Sequence, residues 1–222
     1  MKYFSNDFIT FFKDLARNNA SEWFNENRAR YETSVKKPFA SFIETVINQV
    51  QKADKSVKIK ASDAIFRINR DIRFSKDKSP YKIHMAAIVS KYGRKAKDYP
   101  GMYIMLSPEK IMIGGGVYEL EKPALEKVRK SIAKNTAEFT GIVSTATFKK
   151  KFGSVRGEKN KIIPPAFKKV AEKQPLIANK SFYVMAELPA KNITSDKLVQ
   201  MVLDHYKAAK PFNEFFIKAV GK

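Results

Sequence analysis

The sequence predicts an α+β fold, an antiparallel sheet flanked by N-terminal and C-terminal helices, in a single domain over residues 1–222. Three observations predict it. Apolar residues recur at helical spacing at both ends of the chain. Between them the period shortens to that of strands, with turn residues at the breaks. The composition, 44% hydrophobic and 12% aromatic over 222 residues, is enough to bury a substantial core.

The N-terminal region, residues 1–52, reads as helical. Phe8, Ile9, Phe11, Phe12 and Leu15 fall near i, i+3, i+4, i+7 spacing. Asn18 and Asn19 interrupt that pattern, and Ser21 is a suitable N-cap for a second helix carrying Trp23, Phe24, Asn27 and Tyr31 on one side. Pro38 suits the first turn of a third helix, with Phe39, Phe42, Ile43, Val46, Ile47 and Val50 as its buried stripe. Residues 51–63 are polar and read as a connection.

Residues 64–117 hold a basic motif and antiparallel strands. Ile65–Ile68, Ile83–Ser90, Met102–Leu106 and Ile111–Ile113 read as strands, with a hairpin turn at Ser107–Lys110. A helix is expected over 121–145, with Leu125, Val128 and Ile132 on its apolar face. Residues 147–180 are basic and broken by prolines, so they read as an extended segment with one short helix. Residues 181–220 read as a strand over Ser181–Leu188, a helix from Ser195 and a last helix from Pro211.

Formal net charge is +21. It is uneven: residues 61–100 carry 10 basic and 4 acidic side chains, 147–180 carry 10 and 2, and 101–146 carry 6 and 5. Such a surface attracts polyanions, so weak non-specific nucleic-acid binding at low salt is expected. A generally lysine-rich proteome accounts for the charge equally well. The absence of cysteine excludes disulfides, thiolate metal sites and a cysteine nucleophile. It agrees with a cytoplasmic protein, as does the lack of any apolar run suited to a signal peptide or a spanning helix, which needs ~20 residues. No membrane partner is therefore expected. Nothing in the sequence fixes an oligomeric state.

Chemistry concentrates in Arg67–Lys82, which places three arginines, three lysines, two aspartates, two serines and a tyrosine together. Guanidinium forks on Arg67, Arg70 and Arg73 suit carboxylate or phosphate oxygens. Lys76, Lys78 and Lys82 add positive field, and Ser75, Ser79 and Tyr81 offer hydroxyl donors. The first expectation is a basic pocket for a small phosphorylated or carboxylated ligand, with or without a reaction on it. Its alternative is an internal network, in which Asp71 and Asp77 hold arginines while Phe74 and Tyr81 anchor the loop. Gly114, Gly115 and Gly116 offer backbone N–H groups to an oxyanion, or mark a strand end where only glycine fits. In the pocket reading the two stretches converge on one cavity.

Other chemistries find less support. His84 and His205 are the only imidazoles and lack metal-ligand spacing, so neither a metal nor a cofactor is expected. No Ser-His-Asp order or nucleophile elbow stands out. Trp23 with its neighbouring amides reads as core with caps, Asn19 ending one helix, rather than as a stacking site. Phe148–Phe152 interleaves aromatics with lysines, as single-strand binders do, but also suits a solvated loop with two anchoring rings. A non-enzymatic nucleic-acid binder is the alternative function.

Arg70–Lys82, Arg-Asp-Ile-Arg-Phe-Ser-Lys-Asp-Lys-Ser-Pro-Tyr-Lys, resembles the signature of domain of unknown function 2461. The likeness extends to Asn18–Asn19 with Glu22–Trp23–Phe24, Asn27–Arg28 and Tyr31. It continues through Gly114–Tyr118 with Leu125 and Arg129, and through Asp196–Leu198 to Pro211. The resemblance implies one domain of mixed class and brings no activity, cofactor or catalytic residue.

Overall fold

The computed structural model describes residues 1–96 and 98–221. Its four strands are β1 (Met85–Val89), β2 (Met102–Leu106), β3 (Lys110–Val117) and β4 (Phe182–Pro189), in one antiparallel sheet of order β1-β2-β3-β4. Helices lie at both chain ends, so the class is α+β as the patterning implies. The chain gathers into two compact units. The first is Met1–Arg94, Tyr103–Met112 and Glu187–Leu203; the second is Lys95–Met102, Ile113–Ala186 and Asp204–Lys222.

The first unit is built on aromatic helices. In α1 (Asn6–Arg17), Ser5 caps the start by accepting from the Asp7 N–H, and Phe8, Phe11, Phe12 and Leu15 are buried. The helix ends at Asn18. The next helix is shorter than the pattern implies: α2 (Ser21–Glu26) and α3 (Arg28–Tyr31) are separated at Asn27. The N-cap of α2 is Ala20 rather than Ser21, and it makes no side-chain bond. A π-helical turn, Glu32–Lys36, then leads into α4 (Lys37–Ala53). Pro38 explains the widening. It has no N–H to give Ser34 O, so the regular ladder is already broken there, and the Lys37 N–H reaches Glu32 O, five residues back rather than four. All six predicted stripe residues of α4 are buried. Each such side chain contributes about 1.5–3 kcal/mol of burial. Within the expected connection lies a single turn, α5 (Ala61–Ala64).

The second unit closes over a phenylalanine core. Phe139, Phe148, Phe182, Phe212 and Phe216 are all 0–1% exposed. The expected helix over 121–145 is two helices, α6 (Lys122–Lys134) and α7 (Thr136–Ser144). Residues 147–180 are more helical than their prolines suggest. They hold α8 (Ala146–Phe152), α9 (Lys168–Lys173) and two 3-10 turns, because Phe148, Phe152, Phe167 and Ile177 all reach the core. Pro211 does not begin a helix. It lies inside α10 (Leu198–Val220), whose course is kept by burial of Ala209, Phe212, Phe215 and Phe216. Among the described residues no helix is long and apolar enough to cross a membrane.

Candidate functional site

The basic motif forms a clipped loop in the first unit. Ile65 bridges Ala87 and Asn69 bridges Tyr81, both antiparallel, so two arms flank a protruding turn. Backbone bonds from Arg70 N to Pro80 O and from Lys82 N to Ile68 O, both 2.8 Å, close the arms. Ile65–Ile68 makes only this bridge and is not a strand of the sheet. The Asn19 side chain holds the far arm from both sides. Its Nδ2 donates to Tyr81 O at 3.0 Å, and its Oδ1 accepts from Tyr81 N at 3.1 Å. Asn19 thus clips the loop rather than ending a helix. The Tyr81 ring stacks on Phe24, with centroids 4.1 Å apart and planes at 16°. Tyr81 is buried, and the position fixes the loop's shape.

Inside the loop, charges are partly neutralised in pairs. Arg73 Nε and Nη2 donate to the two Asp71 oxygens at 2.9 and 2.7 Å. This fork holds the Asp71 carboxyl down at about 2. Asp77 pairs with Arg70 and also accepts from the Ser79 N–H and hydroxyl at 2.9 and 2.6 Å; these bonds keep it well below the usual carboxylate range. Ser75 Oγ lies 3.5 Å from Arg70 Nη2. Lys78 Nζ donates to Ile72 O at 3.0 Å, and Lys82 Nζ to Arg67 O at 2.8 Å. Burial, reinforced by the Arg67 charge, lowers the Lys82 pKa.

Among the described residues two cations make no ion pair in this network, although the Arg67 charge adds to the Arg73 fork in lowering the Asp71 pKa. Neither the Arg67 guanidinium nor the Lys76 ammonium has a hydrogen-bond or ion-pair partner among the described residues, and both side chains are exposed. Phe74 is the clearest departure from expectation. The internal-network reading has it anchoring the loop, yet it is 94% exposed at the turn, with the Arg73 Cζ 5.8 Å from its ring centroid. The motif therefore combines internal pairs, two exposed cations without an ion pair among the described residues, and one solvent-facing ring.

The triple glycine lies in the second unit, within β3 rather than in a loop after it. At Gly114 a Cβ would sit 2.5 Å from Val184 O, so close approach of β4 requires glycine there. Gly116 adopts φ +102, and its N–H donates to Asn213 Oδ1 at 2.6 Å. That donor already has an acceptor inside the protein.

The second unit also contains a cleft of about 710 Å³. Asp98, Glu119, Glu121 and Glu158 line it against two lysines, Lys95 and Lys180. Tyr118 and Tyr183 form an edge-to-face pair, centroids 5.2 Å apart, at its wall. With carboxylates outnumbering ammonium groups, this cleft disfavours an anion. Lys149 and Lys150 of α8 are exposed, while Phe148 and Phe152 of the same helix are core. The aromatic–basic interleaving there is one helix with an inner and an outer face. His84, pushed down to about 4 by burial and then by Lys82, is neutral near pH 7. Among the described residues no three metal-ligating side chains converge.

A family model described as "Conserved hypothetical protein (DUF2461)" matches residues 7–215. No curated protein matches the chain.

Proposed function

The chain belongs to the DUF2461 family of conserved hypothetical proteins, and on the geometry of its loop we propose that it binds a phosphate-bearing polyanion through residues 67–82. The observation that carries the reading is the pairing pattern. Arg67 and Lys76 are exposed and make no side-chain hydrogen bond or ion pair among the described residues, and they flank a turn held in place by Asn19, Tyr81 and the Arg70–Asp77 pair. A rigid basic turn loses little conformational entropy when it meets a row of phosphates.

A small phosphorylated or carboxylated ligand fits less well. It needs convergent forks, and those of Arg70 and Arg73 are already engaged by Asp77 and Asp71. The cleft is lined mainly by carboxylates. The polyanion reading requires no enclosure, because counterion release acts at an open surface. It places the protein among binding proteins rather than enzymes.

The test compares two double variants in fluorescence anisotropy with a labelled twelve-nucleotide oligomer at low salt. Arg67→Ala with Lys76→Ala should weaken binding roughly tenfold, as expected for two lost phosphate contacts. Lys149→Ala with Lys150→Ala on α8 should weaken it less. Equal losses would make the interaction a property of net charge and reject the loop as its site.

A further inference from the structure

The same loop carries a feature that phosphate binding alone does not use, the solvent-facing ring of Phe74. Resting on the polyanion reading above, we infer that the ligand is single-stranded nucleic acid and that Phe74 stacks on an unpaired base. An aromatic ring that is 94% exposed makes almost no contribution to the core. The backbone turn that carries it is nonetheless braced. Arg73 and Phe74 form the turn itself, Ser75 N donates to Ile72 O at 3.3 Å, and Lys78 Nζ donates to the same carbonyl at 3.0 Å. The clip by Asn19 holds the arms below. The ring is thus presented on a braced tip, between Arg67 and Lys76 in sequence, which remain open to phosphates.

The chemistry of the surroundings selects the partner. Six basic side chains against two acidic ones between residues 67 and 82 favour an anion. A flat apolar face among cations matches a base with its own phosphates, since every base offers a π face regardless of sequence. In a duplex those faces are covered by neighbouring pairs, so stacking on Phe74 requires an unpaired strand. An anionic lipid surface fits less well. Asp71 and Asp77 share the tip with Phe74, and inserting the ring would draw both carboxylates towards a negative, poorly solvating interface. Base stacking leaves their outer edges in water.

The experiment measures anisotropy of labelled twelve-nucleotide oligo(dT) and of a twelve-base-pair duplex with the full chain at one low salt concentration. The wild type should bind oligo(dT) more tightly than the duplex. Phe74→Ala should weaken oligo(dT) binding roughly 5- to 150-fold, leave duplex binding within about twofold and leave the fold intact, since the ring is exposed. Phe74→Trp should retain the preference and show quenching of the new indole on oligo(dT) binding. Equal binding of strand and duplex, or an unchanged Phe74→Ala, overturns the stacking inference. Phe74-dependent sedimentation with phosphatidylserine vesicles, with no strand preference, overturns it in favour of lipid. If Arg67→Ala with Lys76→Ala weakens both oligonucleotides while Phe74→Ala weakens neither, only the stacking inference falls. If the double variant changes nothing, the polyanion reading falls with it.

Discussion

At the scale of single residues, Asn19 shows how much of the loop rests on one amide. Its two bonds to the Tyr81 backbone span 62 residues of sequence and tie the motif to the helical core. Asn19→Ala leaves a partly buried N–H and C=O without partners, and should cost about 1–3 kcal/mol in urea unfolding. Amide exchange in residues 69–81 should quicken at the same time. Asn19→Asp keeps an acceptor for the Tyr81 N–H and should recover part of the loss. His84 makes a pH prediction. Burial and then Lys82 lower its pKa from 6.5 to about 4 in the folded protein. The unfolded chain therefore binds the proton more readily between these values, and stability falls as pH drops from 6.5 towards 4. The loss should be about 1–3 kcal/mol, discounted for partial solvent access. His84→Gln should flatten the thermal unfolding midpoint over that window; an equally steep decline in the variant would assign it to the carboxylates.

At the scale of elements, Pro211 tests what holds α10. A proline inside a helix removes one backbone bond and crowds the preceding turn, at about 3 kcal/mol relative to alanine. The helix nonetheless continues, because Phe212, Phe215 and Phe216 bury on one face beyond it. Pro211 itself is exposed, so Pro211→Ala loses no core contact and should raise stability by about 1–3 kcal/mol in denaturant unfolding. A destabilised variant would mean that the proline itself helps position those rings. These elements also show what sequence alone could give. The stripe of α4 and the strand β2 were legible because one face of each is buried and the period survives intact. The π-helical turn before α4 follows from Pro38, but only once the Lys37 N–H is seen reaching Glu32 O. Pro211 misled because local propensity lost to tertiary burial. Residues 147–180 misled because charge and proline masked Phe148, Phe152, Phe167 and Ile177.

At the scale of the whole molecule, the candidate site was half legible. The density of charge in Arg67–Lys82 marked the place. It did not reveal which cations are paired. Asp71 and Asp77 lie close in sequence to three arginines, and only the folded loop shows that Arg73 and Arg70 pair with them while Arg67 makes no ion pair among the described residues. The sequence suggests Phe74 as an anchor because phenylalanine is most often buried; its 94% exposure turns it from support into surface. Asn213, whose Oδ1 takes the Gly116 N–H, lies 97 residues away and had no sequence signal at all.

The claim that joins these scales is that phosphate contacts are made by loop cations rather than by net charge spread over the protein. The salt dependence of binding tests it most directly, because the slope counts released counterions. We expect the slope of log K against log salt for oligo(dT) to become shallower by about 1.4 when Arg67 and Lys76 are both replaced by alanine, at roughly 0.7 per contact on single strands. An unchanged slope in that variant, with the same slope lost instead on replacing Lys149 and Lys150, would contradict the account.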